Sequence, residues 1–573
     1  MHVLALPLAL SITFAAPRAL SNDGASAEAN SADIARLVDL RAFDLLCAGR
    51  SEEMEPFPVV PLLQVLPPAA GDVEQSGFAE DWRPSEAAFG VFSELHGDTI
   101  TSADFVEPGV LYMEATAEGH EAFARFVERL ESLHTAAPRL RVTRFAAEAE
   151  QLAAARAAGG DAWRALAREG LESAREITLP ASRLTHVREL MAHSATVGLD
   201  VEIAQGVAVG NPLVLDAAEG LDLALVGSWS GDTLRLAYVT RETEREDREL
   251  VGPADLHLTV TSEGGGIDIA RGVGWYEPFG LTGGAAAGET ALRTGDATIL
   301  STRSGHHVAI ELLSAPPRAE AFSMGEGKSM LAVPRGAFFP ARIDGAGNIL
   351  EGASTFEIGE GSKLESSEAP LRARISWREG DALQMMADRI GSPDWMFLPG
   401  ATLLAFDDEN TQRIMDAAAF LLGDSPSVYT VEARWTDGDA EGSGTVEVIG
   451  GTQALLAIGS EGLIVKDYDV EVAQNAAIRD PRVSLHFEGL ACSIQVDRLR
   501  SGDLAFVVDG QVSRDHDVRE NPMVRSIAAT SSAITRLEER GTVAPSGDDA
   551  WKIVLGDESG RALRVELDVK KVR

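Results

Sequence analysis

The sequence predicts an α+β protein of two tandem modules, each a small strand–helix–strand unit followed by a β-rich unit. Three observations carry this. Asp200–Leu225 (DVEIAQGVAVGNPLVLDAAEGLDLAL) and Asp469–Ile494 (DVEVAQNAAIRDPRVSLHFEGLACSI) align without a gap and share 11 of 26 residues. Upstream of each stands a short apolar strand leading into an amphipathic helix, at Gly109–Leu133 and Gly400–Asp424. Downstream of each lie two strands around a Ser-Gly turn, at Gly295–Leu312 and Gly547–Leu567. Self-similarity at a fixed separation marks an architecture built by repetition.

A chain of 573 residues exceeds one compact core, so several domains are expected. Its formal net charge is -39, from 89 acidic and 50 basic residues spread along the chain. Such a surface repels polyanions, so no nucleic-acid partner is expected.

Taken in order, residues 1–21 read as a signal peptide. The apolar run Val3–Ala16 has the length of a signal core, and Ala19 and Ser21 suit cleavage, so export is expected. Residues 22–108 form an N-terminal α+β region. Residues 109–180 form the first strand–helix–strand unit. Thr116 is its helix cap, and Phe123, Phe126, Val127, Leu130 and Leu133 share one helix face. The strand RLRVTRF follows, and the alanine-rich stretch Phe145–Gly170 adds helix with no counterpart later. Residues 181–315 are the first β-rich unit, and 316–371 a connector rich in Gly, Ser and Pro. Residues 372–436 repeat the strand–helix–strand unit, with Asp408 as cap and Ile414, Ala417, Ala418, Leu421 and Leu422 on the helix face. Residues 437–573 are the second β-rich unit. No later segment approaches the ~18 apolar residues of a membrane-spanning helix.

The positions shared by the repeats are Asp200, Glu202, Gln205, Pro212 and Gly220, matched by Asp469, Glu471, Gln474, Pro481 and Gly489. In DVEVAQ, Val470 and Val472 face one way while Asp469, Glu471 and Ala473 face the other. Pro212 and Pro481 are expected to end strand pairing, because proline has no N–H to donate. Gly220 and Gly489 precede apolar strands and point to a bulge or a positive φ. Asp200/Glu202 and Asp469/Glu471 offer the paired carboxylates that acid–base work or Ca²⁺ binding requires. No His or Lys recurs beside both, so they read as solvated strand faces.

Other motifs fall short. Asp437–Gly442 (DGDAEG) imitates a Ca²⁺ loop, but position 12 falls on Val448, so an acidic turn is expected. Gly325–Ser329 (GEGKS) lacks the first P-loop glycine, where Phe322 stands. Adjacent His306 and His307 point to opposite faces of a strand and cannot easily clamp one metal. His186 and His193 have no counterparts in the second repeat. In GSWSG, Trp229 occupies the place of the nucleophilic serine. Cys47 and Cys492 read as isolated buried thiols. No enzyme activity, cofactor or metal is expected.

The pattern resembles the bacterial secretin family, the ring-forming outer-membrane pores of secretion and pilus systems. The residues that carry the resemblance are Ala32–Leu46 (ADIARLVDLRAFDLL), Ala115–Leu133 (ATAEGHEAFARFVERLESL) and Leu463–Leu490 (LIVKDYDVEVAQNAAIRDPRVSLHFEGL). They are similar to that family's N-terminal strand, ring-building domain and entry to the β-domain. The resemblance implies a protein of the periplasm or outer membrane, non-enzymatic, self-associating into a ring or docking with other envelope or secretion components. It also implies one alternative, a periplasmic scaffold or binding protein on a degenerate form of the fold with no pore. The chain departs from the family in having two β units. Long alternating strands for lipid-facing hairpins are not evident in its sequence.

Overall fold

In the computed structural model, the described residues are 33–47, 57–58, 84–135, 138–158, 161–179, 185–204, 207–230, 233–246, 256–262, 265–271, 280–314, 320–323, 329–334, 341–346, 355–358, 364–365, 372–377, 395–398, 402–405, 426–438, 440–473, 476–521, 524–556 and 563–573. The signal segment, Trp82, the connector's turns and the second predicted helix (Asp408–Asp424) lie outside them.

The first unit is a three-stranded antiparallel sheet, β1 (Ile34–Asp39), β3 (Val110–Ala115) and β2 (Ile100–Glu107) in that order, with helices α1 (Arg41–Cys47), α2 (Pro84–His96) and α3 (Ala117–Thr135). Thr116 caps α3, its Oγ1 accepting from the Gly119 N–H at 3.1 Å. Phe123, Phe126 and Leu130 lie along the buried side of α3 and meet Phe43 of α1 and Phe92 of α2 in one core. β3 and α3 therefore pack with residues before Gly109, and the sheet takes in the N-terminal region.

The rest is largely β, which corrects the α+β expectation. Among the described residues, helix ends with α4 (Ala149–Ala158) and α5 (Ala162–Glu169), the two pieces of the alanine-rich stretch. Beyond them the chain forms antiparallel sheets, two of them large. The long wall runs in the order β6 (Thr185–Ala204), β7 (Val207–Ser230), β8 (Thr233–Glu246), β9 (Gly280–Leu292), β14 (Gln453–Ala473), β15 (Ala476–Arg498), β16 (Leu504–Asn521), β17 (Val524–Val543). The short wall runs β5 (Leu171–Thr178), β4 (Arg139–Ala146), β11 (His306–Leu312), β10 (Ala297–Arg303), β13 (Ala440–Ile449), β12 (Val428–Asp437), β19 (Arg564–Lys571), β18 (Ala550–Gly556). One apolar core joins the facing sides of the two walls, from Leu140 and Leu223 through Leu456 to Trp551 and Leu567.

Long hairpins are present after all. β6 and β7 have 20 and 24 residues, and β14 and β15 have 21 and 23. A bilayer-spanning strand needs only about 9–11. No helix among the described residues is long and apolar enough to cross a membrane.

The prolines do not end the pairing. Pro212 faces Leu199 and Pro481 faces Tyr468, both well inside their hairpins. The physical reason is local. β8 pairs β7 only from Gly220 onward, and β15 between Arg479 and Ser484 lies between its contacts with strands Leu256–Ser262 and Thr355–Ile358. At each proline the strand has one described neighbour, as at an edge, where a missing N–H is tolerated.

Both glycines carry positive φ, +118° at Gly220 and +149° at Gly489. A Cβ would stand 2.0 Å from the Glu189 carbonyl oxygen at Gly220, and 2.2 Å from that of Ile458 at Gly489. Only glycine fits either place. Each hairpin also has one register shift at a matching point, Thr196/Gly198 and Val465/Asp467.

Candidate functional site

Each wall runs unbroken from the first repeat into the second, so the molecule contains two long-range seams. In the long wall β9 pairs antiparallel with β14, from Gly280 opposite Gly462 to Ala287 opposite Leu455. In the short wall β10 meets β13 at Ser301 opposite Thr445. Ala285, Ala286 and Ala287 of β9 and Leu455, Leu456 and Ala457 of β14 are fully buried there. A polar lock crosses between the walls. The Tyr238 hydroxyl donates to the Glu447 carbonyl at 2.7 Å and accepts from the Glu447 N–H at 2.9 Å. Thr290 Oγ1 donates to the Glu447 carboxylate at 2.7 Å, and Arg573 pairs with the same carboxylate. Burial pushes the Tyr238 phenol well above its ordinary range, so it stays protonated to serve as donor.

The outer edges are different. Among the described residues no second strand hydrogen-bonds to β6 or β5 at one end, or to β17 or β18 at the other. Met191 on β6, Leu171 on β5 and Val554 on β18 are exposed large apolar side chains. Open strand edges with exposed apolar groups are places where another chain can add.

The β5–β6 end also carries an ionic cluster between the walls. Arg144 on β4 lies 2.8 Å from Glu242, 3.5 Å from Glu172 and 3.6 Å from Glu189. Arg175 lies 3.1 Å from Glu189, and the Ser173 hydroxyl donates to Glu189 at 2.6 Å. His306 Nδ1 lies 2.7 Å from Glu172. Glu172, Glu242 and His306 could offer three ligand atoms to a cation, all within 4.8 Å of one another. The Arg144 guanidinium already supplies the positive charge among them, so a metal would have to displace it.

The predicted site residues fall as follows. Gly220 and Gly489 sit at matching backbone positions. Asp200, Glu202 and Pro212 lie on β6 and β7, and Asp469, Glu471 and Pro481 on β14 and β15; their side chains are outside the described set, as are Gln205 and Gln474. His186 and His193 stand on β6 beside acids of β7, at 3.9 Å from Asp222 and 3.1 Å from Glu219. Seven residues apart on one strand they face opposite sides, so they do not converge on one centre. His307 is buried, with Nε2 donating to the Ala147 carbonyl at 3.0 Å and Nδ1 accepting from Ser301 at 2.5 Å. Burial lowers it to about 4. Cys492 is a free buried thiol pushed up to about 12 by burial, which makes it a packing group and not a nucleophile. Asp437 of the DGDAEG turn is taken by Arg514 at 3.0 Å.

Sequence reasoning missed the seam strand β9, whose Gly- and Ala-rich GLTGGAAAGETAL has no alternation and, besides Thr282 and Thr290, no β-branched residue. It also missed the ionic cluster, whose members come from different strands. The one sequence signal is that Arg144, Glu189, Glu242 and His306 stand where the later stretches have Ala433, Ile458, Val512 and Val565.

No protein-family model, no curated protein and no solved structure matches the chain.

Proposed function

We propose that the chain consists of two tandem modules and acts as an exported, non-enzymatic, secretin-like protein of the cell envelope, working in secretion or pilus-type assembly through self-association. One observation carries this reading: the two repeats already join edge to edge in both walls. That is the kind of contact by which separate subunits of a β-walled ring would meet, and hairpins longer than a bilayer needs are consistent with it. Sizing of the purified chain with and without detergent, together with conductance across a planar bilayer, tests it. Oligomers that step a bilayer current support the pore form. A strict monomer that ignores membranes removes it.

A second reading, a periplasmic scaffold without a pore, is favoured by the charges on the open edges, with Arg188 and Glu189 on β6 and Arg536 and Glu538 on β17. Monomeric sheet proteins use such charges to discourage edge pairing. This reading expects a soluble monomer with no conductance in the same experiment.

A further inference from the structure

The internal seams specify how two copies of this chain would meet, given the two-module reading on which this rests. In the long wall, Gly220 stands between Leu190 of β6 and Thr243 of β8, and Gly489 between Gly459 of β14 and Ser513 of β16. Thr243 in turn faces Gly283 of β9, and Ser513 faces Ile534 of β17. So β6, β7, β8 and β9 occupy the places of β14, β15, β16 and β17. Core positions agree, because Ala286 matches Leu537, Leu456 matches Val187, and all four belong to the core between the walls.

The short wall repeats in the same sense. Leu179 and Leu313 donate to the carbonyls of Pro138 and Arg139, while Gly450 and Val572 donate to those of Ser427 and Val428. This aligns β4 with β12, and thence β5 with β13, β11 with β19 and β10 with β18. Val142 stands between Arg175 and Ile310, as Val431 stands between Val446 and Val569. Thr298 opposite Ile310 then corresponds to Trp551 opposite Val569.

Each seam joins the last strand of the first repeat to the first-placed strand of the second, β9 to β14 and β10 to β13. The open edges are the counterparts of those same partners. β17 matches β9 and β6 matches β14; β18 matches β10 and β5 matches β13. Both walls leave the unused donor edge at one end and the unused acceptor edge at the other. Two independent sheets thus specify one head-to-tail operation.

We propose that the partner of these edges is a second copy of the chain, its β6 and β5 pairing antiparallel with β17 and β18 of the first in the register of the internal seams. Gly283 opposite Gly459 and Ala286 opposite Leu456 transfer to Ile534 opposite Leu190 and Leu537 opposite Val187 of the second copy. Ser301 opposite Thr445 transfers to Val554 opposite Ala174. Exposure fits this. Ser301 and Thr445 are 7% and 4% exposed in the seam, while Val554 is 49% exposed and Ala174 is exposed at the edges. Likewise Ala287 and Leu455 are fully buried, and their counterparts Glu538 and His186 are exposed. Transfer sets Glu538 against His186 and Lys552 against Glu176, two pairs of opposite character, and sets Arg536 against Arg188, whose charge is met by Asp222 at 3.2 Å. Such a contact is heterologous. It closes into a ring or runs on as a fibre, and it cannot stop at a two-fold dimer.

The test uses the full chain with Cys47→Ser and Cys492→Ala. Ala174→Cys and Val554→Cys are made on separate chains, mixed and mildly oxidised. His186→Cys and Glu538→Cys give the same test in the long wall, so that misfolding of one pair leaves the other. The expected result is a disulfide-linked band of two chains from each mixture and from neither chain alone. A chain carrying both cysteines of a pair gives a ladder. Self-linking of a single-cysteine chain would mean a two-fold contact and overturns the proposal. A linked species of one-chain mass from the double variant would mean closure within the molecule and also overturns it. Oligomers on sizing with no link in either wall overturn the edge assignment and leave self-association standing. A monomer throughout overturns both.

Discussion

The two halves of the molecule fill the same space between their walls with different chemistry. In the first half Arg144, Glu189, Glu242 and His306 meet there as ions and polar groups. At the matching backbone positions the second half has Ala433, Ile458, Val512 and Val565, all buried in the core. The comparison teaches that the strand frame does not require either solution. Removing charges from water is costly, and mutual attraction repays that only when every partner is present. The ionic half depends on its complete set of partners, whereas each apolar residue contributes on its own.

The largest expected effect tests what the halves share. Gly220→Ala and Gly489→Ala each force a Cβ into a backbone carbonyl at positive φ, so each is expected to cost about 4 kcal/mol or more, by urea unfolding. A large loss in one half and a negligible one in the other would end the equivalence. Next comes Arg144→Ala, which leaves Glu242 buried without its partner and is expected to cost about 3–4 kcal/mol. Ile458→Ala in the other half is expected to cost about 2–4 kcal/mol by lost packing, and only the Arg144 change should carry a pH dependence.

Third is acid. His307 in the first half has the second-half counterpart Glu566. Its proton affinity is depressed on folding, to about 4 from the ordinary 6.5. The folded state therefore favours the neutral ring. Its stabilisation is complete above pH 6.5 and is lost as pH falls toward 4, amounting to about 3 kcal/mol over that window. His307→Gln keeps an acceptor for Ser301 and a donor for Ala147, and it should flatten this slope in urea midpoints taken at pH 7 and 5. An unchanged slope would assign the acid sensitivity elsewhere. The smallest effect is the full exchange. Arg144→Ala, Glu172→Ser, Arg175→Val, Glu189→Ile, Glu242→Val and His306→Val made together should leave stability within about 1 kcal/mol, because replacing a whole ionic set is often neutral, and Glu172 and Arg175 go with the others so that neither loses its partners. A loss as large as that of Arg144→Ala alone would show that the first half needs its ions.

These outcomes bear on how much the sequence reveals. The capped helix α3 and the special glycines were legible because each depends on a local constraint: an apolar face, a cap, a missing Cβ. Hairpin length was not, because Pro212 and Pro481 read as stops. Whether a proline stops a strand depends on a second neighbour, which local sequence does not specify. The seams were hidden for a similar reason. β9 has no apolar alternation, and its partner β14 is distant in the chain. The ionic cluster draws on β4, β5, β6, β8 and β11, and only pairing registers bring those strands together.

β9 has a further consequence, in time. Its seam partner Ala457 follows Ala285 by about 170 residues, which at roughly 5–20 residues per second takes about 10–30 s to synthesise. Local hairpins form in about microseconds, so throughout that interval β9 has no seam partner of its own. Eight of the thirteen residues of β9 are Gly or Ala. Small, weakly β-forming residues make a poor template for stray strands. The plainness of GLTGGAAAGETAL thus suits an edge that has to stand open to water and still be vacant when its own partner emerges.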